Sequence, residues 1–420
     1  MALVNHISEP TFMELKEQHI VIFSLFRFDA DIESTAFYLA REFAKRNKVL
    51  YFDHPYTFND YIKRFGTEPF KRRKGLFSLF SDHSIAYDSH LEIFISPILL
   101  SIHFLPEGWL YRRLLQVNEW LIRTKIRYIL KKRKIENYVF INSFNFHYPG
   151  VANGLAPSLK VYQCLDPIIG SFDGKHGRPS ERQLVEKSDL VLCSAKQLYD
   201  EKKSINPNTY FVPNAADIAH SQKALDPGLS VSKLISDIDA PIIGYFGSID
   251  HRMDFVLLEN VARQHPNKQF VFVGPVNTQL PRGIEACDNV HFKGKVPYEE
   301  MPSVLKGFDV AMIPFQKDDH SATVFPLKLF EYLGAGKPVI ATDFNEDLKE
   351  FTKDTVYYCT NADEFSEKIT LALTTDSEAK REQRTHLAAA HTWEHRANTI
   401  LQILSEMMAQ KAASTPLNTY

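Results

Sequence analysis

Short runs of β-branched and aromatic residues alternate along this chain with longer stretches of helical periodicity, the pattern of parallel sheets joined by crossover helices. In the first half the runs are HIVIFSL (19–25), KVLYFD (48–53), LEIFIS (91–96), YVFIN (138–142), KVYQCL (160–165), DLVLCS (189–194) and TYFVP (209–213). The second half restarts the alternation with PIIGYFG (241–247), QFVFVG (269–274), NVHFKG (289–294), DVAMIPF (309–315), KPVIAT (337–342) and TVYYC (355–359). Several runs are apolar at consecutive positions, as strands covered on both faces must be. Pro213, Pro227, Gly228 and scattered Asp and Ser interrupt the series, which marks a domain break. The pattern predicts an α/β protein with a first domain over 1–212, a linker over 213–240 and a second domain over 241–375. Helices and a polar tail follow over 376–420, with the option of crossing back to the first domain.

The 420 residues exceed what one core usually organises, in keeping with two domains. Apolar residues at 44% and charged residues at 24% exclude a disordered chain. Cys164, Cys193, Cys287 and Cys359 are far apart, so buried free thiols are expected rather than a disulfide framework or zinc site. No carboxylate set has metal-site spacing, and neither GxGxxG nor GxxxxGK[ST] occurs, which disfavours hydride-transferring and Walker-type enzymes. No apolar run is long enough to span a membrane, and MALVNHISEPTFMELKEQ carries acids where a signal peptide needs a basic start, so a cytoplasmic location is expected.

The segment HSATVFPLKLFEYLGAGKPVIATD (320–343) is the most informative. It reads as a polar loop, a helix starting near Pro326, a turn containing Gly334 and Gly336, and a buried strand. A helix N-terminus offers unpaired N–H groups and partial positive charge, so the backbone of Thr323, Val324, Phe325 and Leu327 could hold a diphosphate, with Lys328 adding a formal charge. One turn on, Glu331 could accept hydrogen bonds from a ribose diol. The plainer alternative is an amphipathic helix packed by Leu327, Leu329, Phe330 and Leu333, its charges solvated.

FPLKLFEYLGAGKPVIATD resembles the nucleotide-sugar-binding segment of GT-B glycosyltransferases, specifically the group-1 (family 4-like) bacterial enzymes of capsule, teichuronic acid and exopolysaccharide assembly. FVPNAAD (211–217), IGYFGSIDHRMDFVLLENVARQHPNKQFVFVGP (243–275) and VHFKGKVPYEEMPSVLKGFDVAMIPF (290–315) agree with it in order and spacing, covering roughly 205–395. The resemblance implies two Rossmann-like doubly wound parallel-sheet domains facing across a cleft. It also implies a nucleotide diphosphate sugar as donor, UDP-sugar first and GDP-sugar as alternative, with no metal or other cofactor required. Position by position it implies that Gly247 and Ser248 approach the phosphates and that Arg252 stands where the family has a phosphate-binding Lys. Backbone around Lys295 and Val296 would read the base, and Glu331 would hold the ribose. The family's first glutamate falls at Thr323, which has no carboxylate, so retention and inversion both stay open.

An acceptor base belongs at strand C-terminal ends of the first domain. Asp29 follows the first strand, His147 the fourth and Asp166 the fifth, and these three form the catalytic shortlist. Residues 61–135 hold 15 basic against 6 acidic residues in a chain of net charge −2. Lys71 to Lys74 are flanked by Phe65, Phe70, Phe77 and Phe80, and 111–135 reads as a basic helix with a stripe of Leu114, Val117, Trp120, Leu121, Ile126 and Ile129 or Leu130. Such a face suits the anionic inner leaflet of a cell membrane, which a lipid-linked acceptor would require; a core helix with a solvated basic face is the alternative. No nucleic-acid motif is present. The expectation is sugar transfer to a lipid-linked or saccharide acceptor in surface-polysaccharide assembly. A catalytically silent nucleotide-sugar-binding scaffold and a GT-B-fold epimerase are the rival readings.

Overall fold

A computed structural model describes residues 15–30, 34–168, 171–239, 241–318 and 320–414. The N-terminal segment read for targeting lies mostly outside these. The described chain divides into two compact units, one comprising 1–213 and 396–420 and the other 214–395.

The first unit is built on β1 (His19–Ser24), β2 (Lys48–Phe52), β3 (Ile85–Ala86), β4 (Leu91–Phe94), β5 (Tyr138–Ser143), β6 (Leu159–Cys164), β7 (Leu190–Cys193) and β8 (Thr209–Phe211). They pair in the order β3-β4-β2-β1-β5-β6-β7-β8, all parallel except the two-residue edge strand β3, which is too short to leave a sequence pattern. Ile20, Val21, Ile22 and Phe23 are each at most 2% exposed, because helices cover both faces of a parallel sheet. The end of the chain belongs to this unit, where Lys411 Nζ lies 2.8 Å from Asp189.

The second unit contains β9 (Ile242–Phe246), β10 (Gln269–Val273), β11 (Val290–Phe292), β12 (Val310–Ile313), β13 (Val339–Thr342) and β14 (Val356–Cys359). Their order is β11-β10-β9-β12-β13-β14, all parallel. This is the doubly wound arrangement in which strand order reverses beside the first strand, leaving a crevice at the strand C-termini where ligands bind. The reversal falls between β9 and β12 here, and between β1 and β5 in the first unit.

Residues 214–239 do not form the expected linker. Ile218, Ala224 and Ile235 are buried in the core of the second unit, and the helix Ile218–Gln222 packs on the helix Leu327–Gly334. Their apolar positions are too widely spaced to read as a periodic element. The helix Trp109–Lys132 also differs from expectation. Its inward face carries Tyr111, Leu115, Asn118, Glu119, Ile122, Lys125, Ile126, Ile129 and Leu130, while Val117 and Trp120 are exposed. Polar groups turn inward because they satisfy loop backbone: Asn118 bonds both main-chain groups of Leu100 (2.9 and 3.0 Å), and Glu119 accepts from Gly150 N–H.

Candidate active site

At the switch point of the second unit, β9 is followed by Gly247 and β10 by Gly274, with φ of +141° and +150°. A Cβ on Gly274 would lie 2.0 Å from the Gly247 carbonyl oxygen, and one on Gly247 would lie 2.6 Å from Lys328 Nζ. Only glycine fits either position. The bare backbone brings the Lys328 ammonium against the end of β9, over the Tyr245 ring at 4.1 Å and 5.3 Å from the Phe315 centroid, and it donates to the Tyr245 hydroxyl. Among the described residues Lys328 forms no ion pair. Burial first, and the neighbouring Arg252 charge second, bring its pKa down to about 7.

Arg252 is held differently. It pairs with Asp250 through Nε (2.8 Å) and Nη2 (2.6 Å), which opposes burial strongly enough to bring the carboxyl down to about 2. Its charge is therefore largely answered by the protein. Ser248 lies beside it, its Oγ accepting from Asn277 (2.9 Å) and its carbonyl from Tyr245 (2.8 Å).

The helix after this loop runs Leu327–Gly334 with Pro326 at its N-cap. The N–H groups of Thr323 and Val324 bond back to His320 and Ser321 carbonyls, each at 3.0 Å, so these two residues are not the anion donors expected of them. The turn Ser321–Thr323 consumes them, which leaves Leu327 and Lys328 at the helix start. The Thr323 hydroxyl turns to the His320 carbonyl (2.7 Å). Phe325 is a core residue stacked on Phe330 at 5.4 Å. Glu331 accepts from Tyr298 (2.9 Å), and burial pushes its pKa up to about 7. Tyr298 stacks on His220 at 4.7 Å, and Val296, two residues before it, packs partly buried against the core. Tyr298 and Tyr245 were missed in the sequence, although both sit inside the motif segments.

In the first unit the shortlist separates. Asp29 is not an available base: both its oxygens hold Arg73 (2.5 and 2.7 Å), and Asp53 holds the same guanidinium at 2.7 and 3.1 Å. Burial alone would raise the Asp29 pKa, but the Arg73 contacts lower it. Arg73 is wholly buried, so it is no part of a basic surface, unlike exposed Lys71, Arg72 and Lys74. Asp166 is exposed after β6. His147 lies among imidazoles, 5.9 Å from His54 and 5.1 Å from His103 between ring centroids, and burial brings its pKa down to about 3.

Residues 255–402 match the family model described as glycosyl transferase-like. The putative teichuronic acid biosynthesis glycosyltransferase TuaH of Bacillus subtilis is 28% identical over 207 residues, 45% of this chain and 51% of that protein, so the chain spans about half the length of this curated relative. Sucrose-phosphate synthase from Thermosynechococcus elongatus superposes with a TM-score of 0.65 at 16% identity, over 94% of this chain and all of that one. A Burkholderia xenovorans trehalose-phosphate synthase solved with glucose-6-phosphate gives 0.63 at 11% identity, over 93% and 100%. An Escherichia coli structure bound with UDP-2-fluoro glucose gives 0.61 at 10%, over 93% and 99%. These likenesses show the fold of this chain, the two-sheet GT-B arrangement.

The two shifted groups predict a pH profile for nucleoside diphosphate binding. Lys328 is charged below about pH 7, and a bound diphosphate raises its pKa, so affinity falls as pH rises through 7. Glu331 loses its charge below about pH 7, so a ribose diol is held less well on the acid side. Calorimetric titration from pH 5.5 to 9 should give a maximum near 7. Lys328→Met should remove the alkaline limb, and Glu331→Gln should weaken binding by about 1–3 kcal/mol and remove the acid limb.

Proposed function

We propose that this protein transfers a glycosyl group from a nucleotide diphosphate sugar, a UDP-sugar in the first instance, to a saccharide or lipid-linked acceptor in cell-surface polysaccharide assembly. One observation carries the reading: an ammonium without a carboxylate partner, Lys328, sits against the bare glycine backbone after β9, inside the glycosyl transferase-like segment. An anionic diphosphate is the ligand that such a group stabilises. In the reaction the bond from the anomeric carbon to the diphosphate oxygen breaks and one to the acceptor oxygen forms. Lys328, with Arg252 beside it, stabilises charge developing on the leaving diphosphate. The acceptor hydroxyl proton passes to a base in the first unit, for which exposed Asp166 and neutral His147 remain after Asp29 is committed to Arg73, or to the donor phosphate itself. Incubation with UDP-sugars and a membrane extract should release uridine diphosphate; whichever of Asp166→Asn and His147→Ala removes the base should slow release at least tenfold while donor affinity stays unchanged, and proton transfer to the donor phosphate would leave both near wild type. Binding without any release would favour a silent scaffold.

The acceptor reading places the protein peripherally on the inner leaflet. Of fifteen large exposed apolar side chains among the described residues, eleven lie between Phe58 and Trp120. The helix Phe58–Arg64 buries none of its residues and presents Phe58 and Ile62 beside Lys63 and Arg64. Its start is tied to the loop after β4 by Phe58 N–H to Leu99 O (2.8 Å) and Asn59 N–H to Ser101 (3.0 Å), a loop that carries Phe104, 77% exposed, and leads into the helix Trp109–Lys132, whose Trp109 is 78% exposed. Basic charge next to exposed aromatics complements an anionic lipid surface. No described helix is long and apolar enough to cross a membrane. The protein should pellet with anionic vesicles and release partly at high salt. Phe104→Ser with Trp109→Ser should lower binding at every salt concentration, whereas Lys71, Arg72 and Lys74→Ser should remove only the salt-sensitive part. Equal pelleting with neutral vesicles would contradict the membrane reading.

A further inference from the structure

The first unit carries three arginines close to one buried tyrosine, and the protein answers two of them differently. Arg27, Arg73 and Arg64 lie 4.6, 5.4 and 5.9 Å from the Tyr56 ring, Arg64 being exposed. Arg73 has two carboxylates, Asp29 and Asp53. Arg27 forms no ion pair among the described residues, and its Nε is buried without a hydrogen-bond partner. Arg27 is half-buried, its charge answered only at a distance by Asp53 and Asp60, and a buried N–H that meets no acceptor is costly.

Its surroundings describe a ligand that would supply one. Arg27 follows β1, and Asn145 and His147 follow β5, so the group stands at the switch point of the first sheet, where ligands of open α/β sheets bind. The Tyr56 hydroxyl and Asn145 Oδ1, on residues 1% and 0% exposed, also lack partners among the described residues. Asn145 Nδ2 lies 3.4 Å from His54 Nδ1, and His54 continues through His147 to His103. Burial holds His54 and His147 neutral. One guanidinium and a phenol suit a phosphate; a side-chain carbonyl and neutral imidazoles suit hydroxyl groups.

We propose that Arg27 and Tyr56 form the phosphate subsite of the acceptor, a phosphorylated sugar or polyprenyl phosphate, whose hydroxyl groups face Asn145, His54 and His147. Calling this ligand the acceptor rests on the transfer reading above; the phosphate subsite itself does not.

Glucose 6-phosphate and farnesyl phosphate serve as probes, titrated with uridine diphosphate at saturation so that the second unit cannot compete. Both should raise the melting temperature by mass action, and a larger response to farnesyl phosphate would assign the phosphate to a lipid carrier, a larger one to glucose 6-phosphate to a soluble sugar. Arg27→Met should abolish the response, lowering affinity at least tenfold, and should melt no lower than wild type without probe, whereas Arg73→Met should melt well below it. Arg27→Lys should keep part of the response. No response in wild type, an undiminished response in Arg27→Met, or an Arg27→Met variant as unstable as Arg73→Met would overturn the proposal. The phosphate titration is readable whether or not uridine diphosphate binds, so the subsite and the donor reading fail separately.

Discussion

A cation drawn out of water needs an answering group, and where this protein supplies a carboxylate separates the roles of Arg73, Arg252, Lys328 and Arg27. Arg73 is fully enclosed and holds two carboxylates from the loops after β1 and β2, so it fixes those loops to its own helix, Glu68–Arg73. Arg252 is answered by Asp250 two residues away. Lys328 and Arg27 are not answered by any carboxylate at ion-pair distance among the described residues. Each stands at the point where its parallel sheet reverses strand order, one in each unit.

Packing makes these positions tenable without a ligand. Lys328 rests on the faces of Tyr245 and Phe315 and donates to the Tyr245 hydroxyl, and Arg27 rests on Tyr56; an aromatic face offsets part of the lost hydration but gives the Arg27 Nε–H no acceptor. The approach of Lys328 to β9 depends on two glycines whose backbones touch. A side chain at either would move the ammonium or the loop, so the conformation of β9 and the electrostatics of the helix behind it are one constraint. Glu331, one turn beyond Lys328, is kept near neutrality by burial and anchored by Tyr298, which places a titrating acid and a titrating base on adjacent turns.

The parallel strands were legible because buried strands are continuous apolar runs, and the donor segment because a helix start, a lysine and a glutamate in one register have a chemical reading. What failed to show has physical causes. Asp29 reads as a base from its position, and only the fold brings Arg73 to it across 44 residues. Arg73 lies in a run of four basic residues that looks solvated, yet it is the one turned inward. Asn118 and Glu119 break an apolar stripe to satisfy loop backbone, which rotates the buried face and leaves Trp120 outside. Arg27, His54 and His103 come from three separate loops, so no spacing relates them.

The central claim is that each unit keeps at its switch point one cation without a carboxylate partner, Lys328 in one and Arg27 in the other, for a ligand's phosphate. A crystal soaked in tungstate, a phosphate-like anion with strong anomalous scattering, tests it most directly. The account predicts one anomalous peak within hydrogen-bond distance of Lys328 and Gly247, a second at Arg27 and Tyr56, and none at Arg73. Peaks confined to exposed lysines, or an Arg27 side chain found paired with a carboxylate, would contradict it.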